Sequence, residues 1–150
     1  MGMLPLSSAI TMKNLRVASR VDELSSVRRF VGSCLEDLPM SERERSNVIF
    51  SVLEAVINAM RHGNGMDPRR AVELVFDCDG EKVTIAIRDE GAGFDPRSVP
   101  DPTDPKLLKE PTGRGIFFMR QMMNEITFET GPSGTTVKMI KRYNGHNGKH

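Results

Sequence analysis

Near residue 66 the chain changes the period of its apolar residues, and that change limits what it can fold into. From Val48 to Gly65 (VIFSVLEAVINAMRHGNG), Ile49, Val52, Leu53, Val56, Ile57 and Met60 recur three and four apart, the stripe of an amphipathic helix. From Val72 the repeat shortens to two. Val72, Leu74, Phe76 and Cys78 share one face, Asp79-Gly80 offers a two-residue turn, and Val83, Ile85 and Ile87 face inward on a return strand. A helix with one side to bury and a hairpin with one face to bury call for a layered α/β domain.

The flanking segments extend this plan. Ile10 to Val17 (ITMKNLRV) alternates as a strand, and Val21 to Leu38 sets Leu24, Val27, Val31, Cys34, Leu35 and Leu38 at helical spacing before Pro39 stops it. Ser41 with Glu44 forms a capping box, so the next helix is expected to begin near Glu42 and run to His62, with Gly63 ending it. Five of the nine prolines fall between Gly91 and Gly115, a stretch expected to be a lid or binding loop with glycines at its ends. Ile116 to Asn124 reads as a short helix, and Glu125 to Lys141 as a second hairpin about Gly131-Pro132-Ser133-Gly134. The expected organisation is a disordered lead over residues 1–8, one domain over 9–142 with its lid at 91–115, and a polar, disordered tail over 143–150.

At 150 residues, 38% hydrophobic and 27% charged, the chain can bury a core without staples. With 21 basic against 20 acidic residues the formal charge is +1, which gives no bulk electrostatic case for direct nucleic-acid or membrane binding. Cys34 and Cys78 lie in apolar patterns without metal-ligand spacing, as thiols of a reducing compartment do. No stretch approaches a membrane span, and a cytoplasmic protein is expected.

Four features could carry chemistry. Glu54, Asn58 and His62, four apart, form a polar stripe opposite the apolar one, flanked by the small residues Ser51, Ala55 and Ala59. It is either a solvated face or a binding face, and Asn58 favours the second because an asparagine amide competes with the helix backbone. Asp89 continues the inward phase of Ile85 and Ile87, so it either aims a carboxylate at the core side of the sheet or merely begins a turn. Gly113-Arg114-Gly115 stands at a helix start, suited to a phosphate or simply flexible. Thr135 is in phase with Val137 and Met139, so its hydroxyl points inward and needs a partner.

The order of these pieces is specific: E-x3-N-x3-H-G on a helix, D-E-G-A-G-F at a strand end, a proline-rich loop, T-G-R-G at a helix start and G-T-T on a late strand. It resembles the ATP-binding domain of gyrase-type topoisomerases, large heat-shock chaperones, histidine kinases and mismatch-repair ATPases. The wording LEAVINAMRHGN, RDEGAGFDP and PTGRGIFFMR is most similar to the bacterial anti-sigma-factor serine/threonine kinases, over roughly Leu24 to Lys141. The resemblance implies a Bergerat-type two-layer α/β sandwich, a mostly antiparallel mixed sheet with three helices on one face and a lid loop.

It also implies roles. Asn58 would ligate Mg²⁺ bridging the phosphates of ATP or ADP, Asp89 would accept the adenine amine, and Thr135 would support that contact through water. Gly91 and Gly93 would let the backbone approach base and sugar, Arg114 and the amides of Gly113 and Gly115 would hold the terminal phosphates, and Glu54 would be the catalytic base. The part of His62 stays open. The implied partners are a sigma factor and an anti-anti-sigma protein of the STAS type, phosphorylated on serine or threonine, with the kinase a homodimer. Arg28 or Arg29 is either part of a partner surface or a solvated face. The alternative function is an ATP-gated regulatory binding module without phosphotransfer. A detached histidine-kinase domain fits poorly, since two of the three histidines lie in the tail.

Overall fold

The computed structural model describes residues 11–91 and 111–143, with the backbone alone for residues 11 and 111–114. The expected leader, the body of the lid, Gly93, and the tail from residue 144 lie outside the described residues.

Among the described residues five strands and three α-helices follow one another in the order β1 (Thr11–Ala18), α1 (Leu24–Leu35), α2 (Glu42–Asn58), β2 (Ala71–Cys78), β3 (Lys82–Arg88), α3 (Pro111–Met122), β4 (Glu125–Gly131) and β5 (Gly134–Arg142). The strands form one sheet in the order β1-β2-β3-β5-β4. Each described pairing is antiparallel, in keeping with the mostly antiparallel sheet that the resemblance implies. One face carries Val72, Leu74, Phe76, Val83, Ile85, Ile87, Val137 and Met139, all buried against the helices, as the period of two requires. The other face, with Glu73, Val75, Thr84, Ala86, Thr136 and Lys138, is half-buried or exposed. The architecture is therefore two layers with one core.

The α2 helix starts where its capping box puts it. The Ser41 hydroxyl accepts from the Glu44 amide at 3.0 Å, and the Glu44 carboxylate accepts from the Ser41 amide at 2.9 Å. Its buried side is rotated from the expected stripe. Val48, Ser51, Val52, Ala55 and Val56 are buried, whereas Ile49, Leu53 and Ile57 are half-buried. The cause is α3, which runs antiparallel along the small-residue flank: Ser51 Oγ lies 4.0 Å from Met122 Sδ, and Glu54 meets Gly115. The small residues thus seat a helix.

Two local expectations are corrected. The first hairpin centres on Gly80-Glu81 in place of Asp79-Gly80: Cys78 pairs with Val83, Asp79 N–H donates to Lys82 O at 3.3 Å, the Asp79 carboxylate accepts from the Glu81 and Lys82 amides, and Gly80 takes φ +94°. The helix before Gly63 is not α-helical to His62: α2 gives way after Asn58 to a π-helical turn, Ala59–Gly63, closed by Asn64 N–H donating to Ala59 O at 2.8 Å. At the far end Tyr143, expected to begin the tail, is buried, and its N–H donates to Glu81 O at 3.0 Å. Cys34 is buried and Cys78 half-buried, and neither is in a disulfide. Among the described residues no helix is long and apolar enough to cross a membrane.

Candidate functional site

Of the five buried polar side chains among the described residues, four lie at one end of the sheet. Ser19 follows β1, Asn64 precedes β2, Asp89 follows β3 and Thr135 opens β5; antiparallel pairing of Ala18 with Ala71, Glu73 with Arg88, and Arg88 with Thr136 brings these ends together. Buried polar groups must be satisfied by hydrogen bonds, and their clustering marks this end of the sheet as the place where the core is not simply apolar.

Asp89 is 3% exposed and is aimed inward, as its phase requires. Its Oδ1 accepts from the Gly91 amide at 2.9 Å and from the Thr135 amide at 3.1 Å, and its own amide donates to Thr135 O at 3.0 Å. The described hydrogen bonds of the carboxylate all fall on Oδ1, which leaves Oδ2 as an acceptor lying against Gly63. A β-carbon on Gly63 would stand 2.2 Å from that oxygen, and one on Gly91 would stand 1.8 Å from Gly63 O. Backbone therefore touches backbone here, and only glycine permits it. Thr135 is 1% exposed; it reaches Asp89 through its amide, while its hydroxyl lies 3.0 Å from Thr130 Oγ1.

Along α2, Glu54 and Asn58 are half-buried one turn apart and appear in none of the described hydrogen bonds. Burial raises the Glu54 carboxyl above its ordinary range, with Arg61 pulling it partly back. Gly115 closes over this group, since a β-carbon there would lie 2.5 Å from Glu54 Oε1. As the fifth residue of α3, Gly115 is past the four amides that a helix start leaves free. Gly113 lies within that first turn; the Arg114 side chain is outside the described residues. His62 is exposed, because the wider turn after Asn58 breaks the repeat that would have carried it into line with Glu54 and Asn58.

The structure thus brings together Glu54 with Gly115, and Asp89 with Gly91 and Thr135, at the ends of β3, β5 and α2. Two participants escaped the sequence reading. In the sequence Gly63 is a helix stop and the last letter of the E-x3-N-x3-H-G motif, yet in the fold it is the floor beneath Asp89. Asn64 sits in an ordinary N-G turn pair, and no pattern distinguishes a buried asparagine from a turn residue.

Among the described residues no group of three or more His, Cys, Asp or Glu side chains could hold a metal.

A family model for the histidine kinase-like ATPase domain matches residues 17–141. The chain belongs to the histidine kinase-like ATPase domain family. Among curated relatives it is similar to the anti-sigma F factor of Geobacillus stearothermophilus, 31% identical over 135 residues, covering 87% of this chain and 91% of the relative. It is likewise similar to that of Clostridium botulinum (strain Eklund 17B / Type B), 32% identical over 138 residues, with 87% and 94% covered. Its fold matches the crystal structure of the RsbU and RsbW domains of Rv1364c from Mycobacterium tuberculosis, with a TM-score of 0.66 at 16% identity, over 88% of this chain and 32% of that one. The mycobacterial sensor histidine kinase MprB shares the fold at a TM-score of 0.53 and 15% identity, over 88% and 97% of the two chains.

Proposed function

We propose that this protein is an anti-sigma factor of the cytoplasm that uses Mg-ATP to phosphorylate a serine or threonine of a STAS-type anti-anti-sigma partner. The sigma-factor part rests on the names of its curated relatives, and the kinase part on Glu54. A half-buried carboxylate without a described hydrogen bond, one turn from Asn58, is costly to keep unless a ligand or an incoming hydroxyl faces it.

In this reading the adenine amine donates to Asp89 Oδ2, and the Gly63–Gly91 contact supplies a flat backbone surface for the base. Thr135 holds Asp89 through its amide. Asn58 would hold Mg²⁺ through its amide oxygen, where the ion would supply charge neutralisation for the phosphates, and Arg114 and the Gly113 amide would face the terminal phosphate. Glu54 takes the proton of the partner hydroxyl as that oxygen bonds to the γ-phosphorus and the bond to the ADP oxygen breaks. Gly93 and the segment 91–115 cover the nucleotide, and two copies act as a homodimer.

The test is incubation with labelled ATP, Mg²⁺ and candidate STAS partners. Phosphoserine or phosphothreonine should form and should vanish in Glu54→Gln. Tight ATP binding with partner release by both ATP and a non-hydrolysable analogue, and no phosphoprotein, would instead establish an ATP-gated binding module.

A further inference from the structure

We infer that Asn64 is a positioning residue that sets the place of the Asp89 carboxylate and so the protein's choice of purine; this rests on the ATP reading above. Asn64 is 3% exposed and joins three separate segments. Its Nδ2 donates to Ser19 Oγ at 2.9 Å, beyond β1, and to Ala71 O at 3.0 Å, at the start of β2. Its Oδ1 accepts from the Glu90 amide at 2.8 Å, the residue after Asp89.

The main chain of Asn64 does a second job. Its N–H closes the π turn on Ala59 O, so the same residue that fixes Gly63 from one side holds the Asp89-Glu90-Gly91 segment from the other. A β-carbon on Gly91 would strike Gly63 O and one on Gly63 would strike the Asp89 carboxylate, and among the described hydrogen bonds the Asn64 side-chain amide bridges the two segments. Glu90 locks the outer side. Its carboxylate accepts from the Ala71 amide and from Arg16, both at 2.9 Å, and its carbonyl accepts from Arg70 at 3.2 Å. Ser19 completes the clip by donating to Arg70 O at 2.7 Å.

A buried asparagine that served the core alone would affect stability without affecting which base is read. A positioning residue affects both, because Asp89 Oδ2 can receive the adenine amine only from where Asn64 and Gly63 hold it, and guanine presents a carbonyl at that point of the ring.

Calorimetry with ATP and with GTP, on the wild-type protein, Asn64→Ala, Ser19→Ala and the distant cap variant Ser41→Ala, separates the two. The expected result is that Asn64→Ala loses about tenfold or more in ATP affinity and most of the ATP preference over GTP, whereas Ser41→Ala keeps both. Amide exchange of Glu90 and Gly91, measured without nucleotide, should quicken in Asn64→Ala and not in Ser41→Ala. Wild-type ATP affinity and an unchanged ATP-to-GTP ratio in Asn64→Ala would overturn the assignment. If Asn64→Ala does not fold, Ser19→Ala, which removes one of the three contacts, decides in the same way: a shifted ratio supports the assignment and an unshifted one overturns it. A wild-type protein that binds neither nucleotide would overturn the ATP reading itself.

Discussion

The carboxylate of Asp89 lies directly over the backbone of Gly63, so close that a β-carbon on Gly63 would stand 2.2 Å from Asp89 Cγ. Asp89 cannot retreat without giving up the Gly91 and Thr135 amides that hold its Oδ1. Gly63→Ala should therefore cost about 1–3 kcal/mol, as overpacking does, and weaken ATP binding about tenfold or more. Gly32, within α1, is the control, for nothing lies within 4 Å of the β-carbon it would gain. Gly32→Ala should stabilise the protein by about 0.5–1 kcal/mol and leave nucleotide affinity alone. Urea unfolding beside calorimetry reads both, and a Gly63→Ala protein with normal ATP affinity would refute the contact's role.

Asp89→Asn should remove ATP binding while preserving the fold. An asparagine can keep its carbonyl oxygen on the Gly91 and Thr135 amides, which turns its NH₂ toward Gly63 and the ligand. A donor then faces a donor, and the loss of a charge-assisted hydrogen bond of about 1.5–3 kcal/mol corresponds to about ten- to a hundredfold in affinity, before any repulsion. Unchanged affinity by calorimetry would sink the nucleotide site.

The Glu54 carboxyl is raised above the ordinary 4.5 by burial, with Arg61 opposing. A base works ionised, so the rate of the proposed transfer should climb with pH along an acid limb above the usual glutamate range. Arg61→Ala should move that limb further up, because it removes the group that lowers the pKa. For stability the sign is reversed. The folded state holds the Glu54 proton more tightly than the unfolded state, so stability falls as pH rises from the unfolded value through the folded one. Glu54→Gln should then be inactive yet at least as stable as wild type near pH 8, with the gain vanishing below about pH 4. A variant less stable at pH 8 would contradict this.

Gly115→Ala separates positioning from binding. Its new β-carbon would meet Glu54 Oε1, the far end of a side chain free to rotate, and alanine is the better helix former by up to about 1 kcal/mol. Melting temperature should hold or rise slightly. The proposed transfer should slow about tenfold to a hundredfold as the carboxylate is pushed aside, against about threefold at most in ATP affinity. An unaffected rate would show that Glu54 is not the base.

What the sequence disclosed was local. The capping box of Ser41 and Glu44 and the inward phase of Asp89 and Thr135 depend on spacings of two to four residues, and the structure keeps each of them. What it concealed depends on neighbours distant in the chain. Ser51 and Ala55 are buried instead of Leu53 and Ile57 because α3, whose Met122 is 71 residues on from Ser51, lies against them. Asn64 looked like turn chemistry because its partners, Ser19 and Glu90, come from elsewhere in the chain. The π turn has no signature at all in AMRHG, since a wide turn is paid for by the tertiary contacts of Gly63. Gly93 and the Arg114 side chain fall outside the described residues.

The π turn of Ala59–Gly63 also makes chain length a constraint in its own right. Deleting one residue between Asn58 and Asn64 would give the helix a regular α-helical finish that propensity favours, yet it would swing Gly63 about 100° around the axis, away from Asp89. Substitutions in this stretch can be judged one side chain at a time, whereas an insertion or deletion there would dismantle the site while improving the helix. Relatives that share the site should therefore vary in the spelling of this segment more freely than in its count.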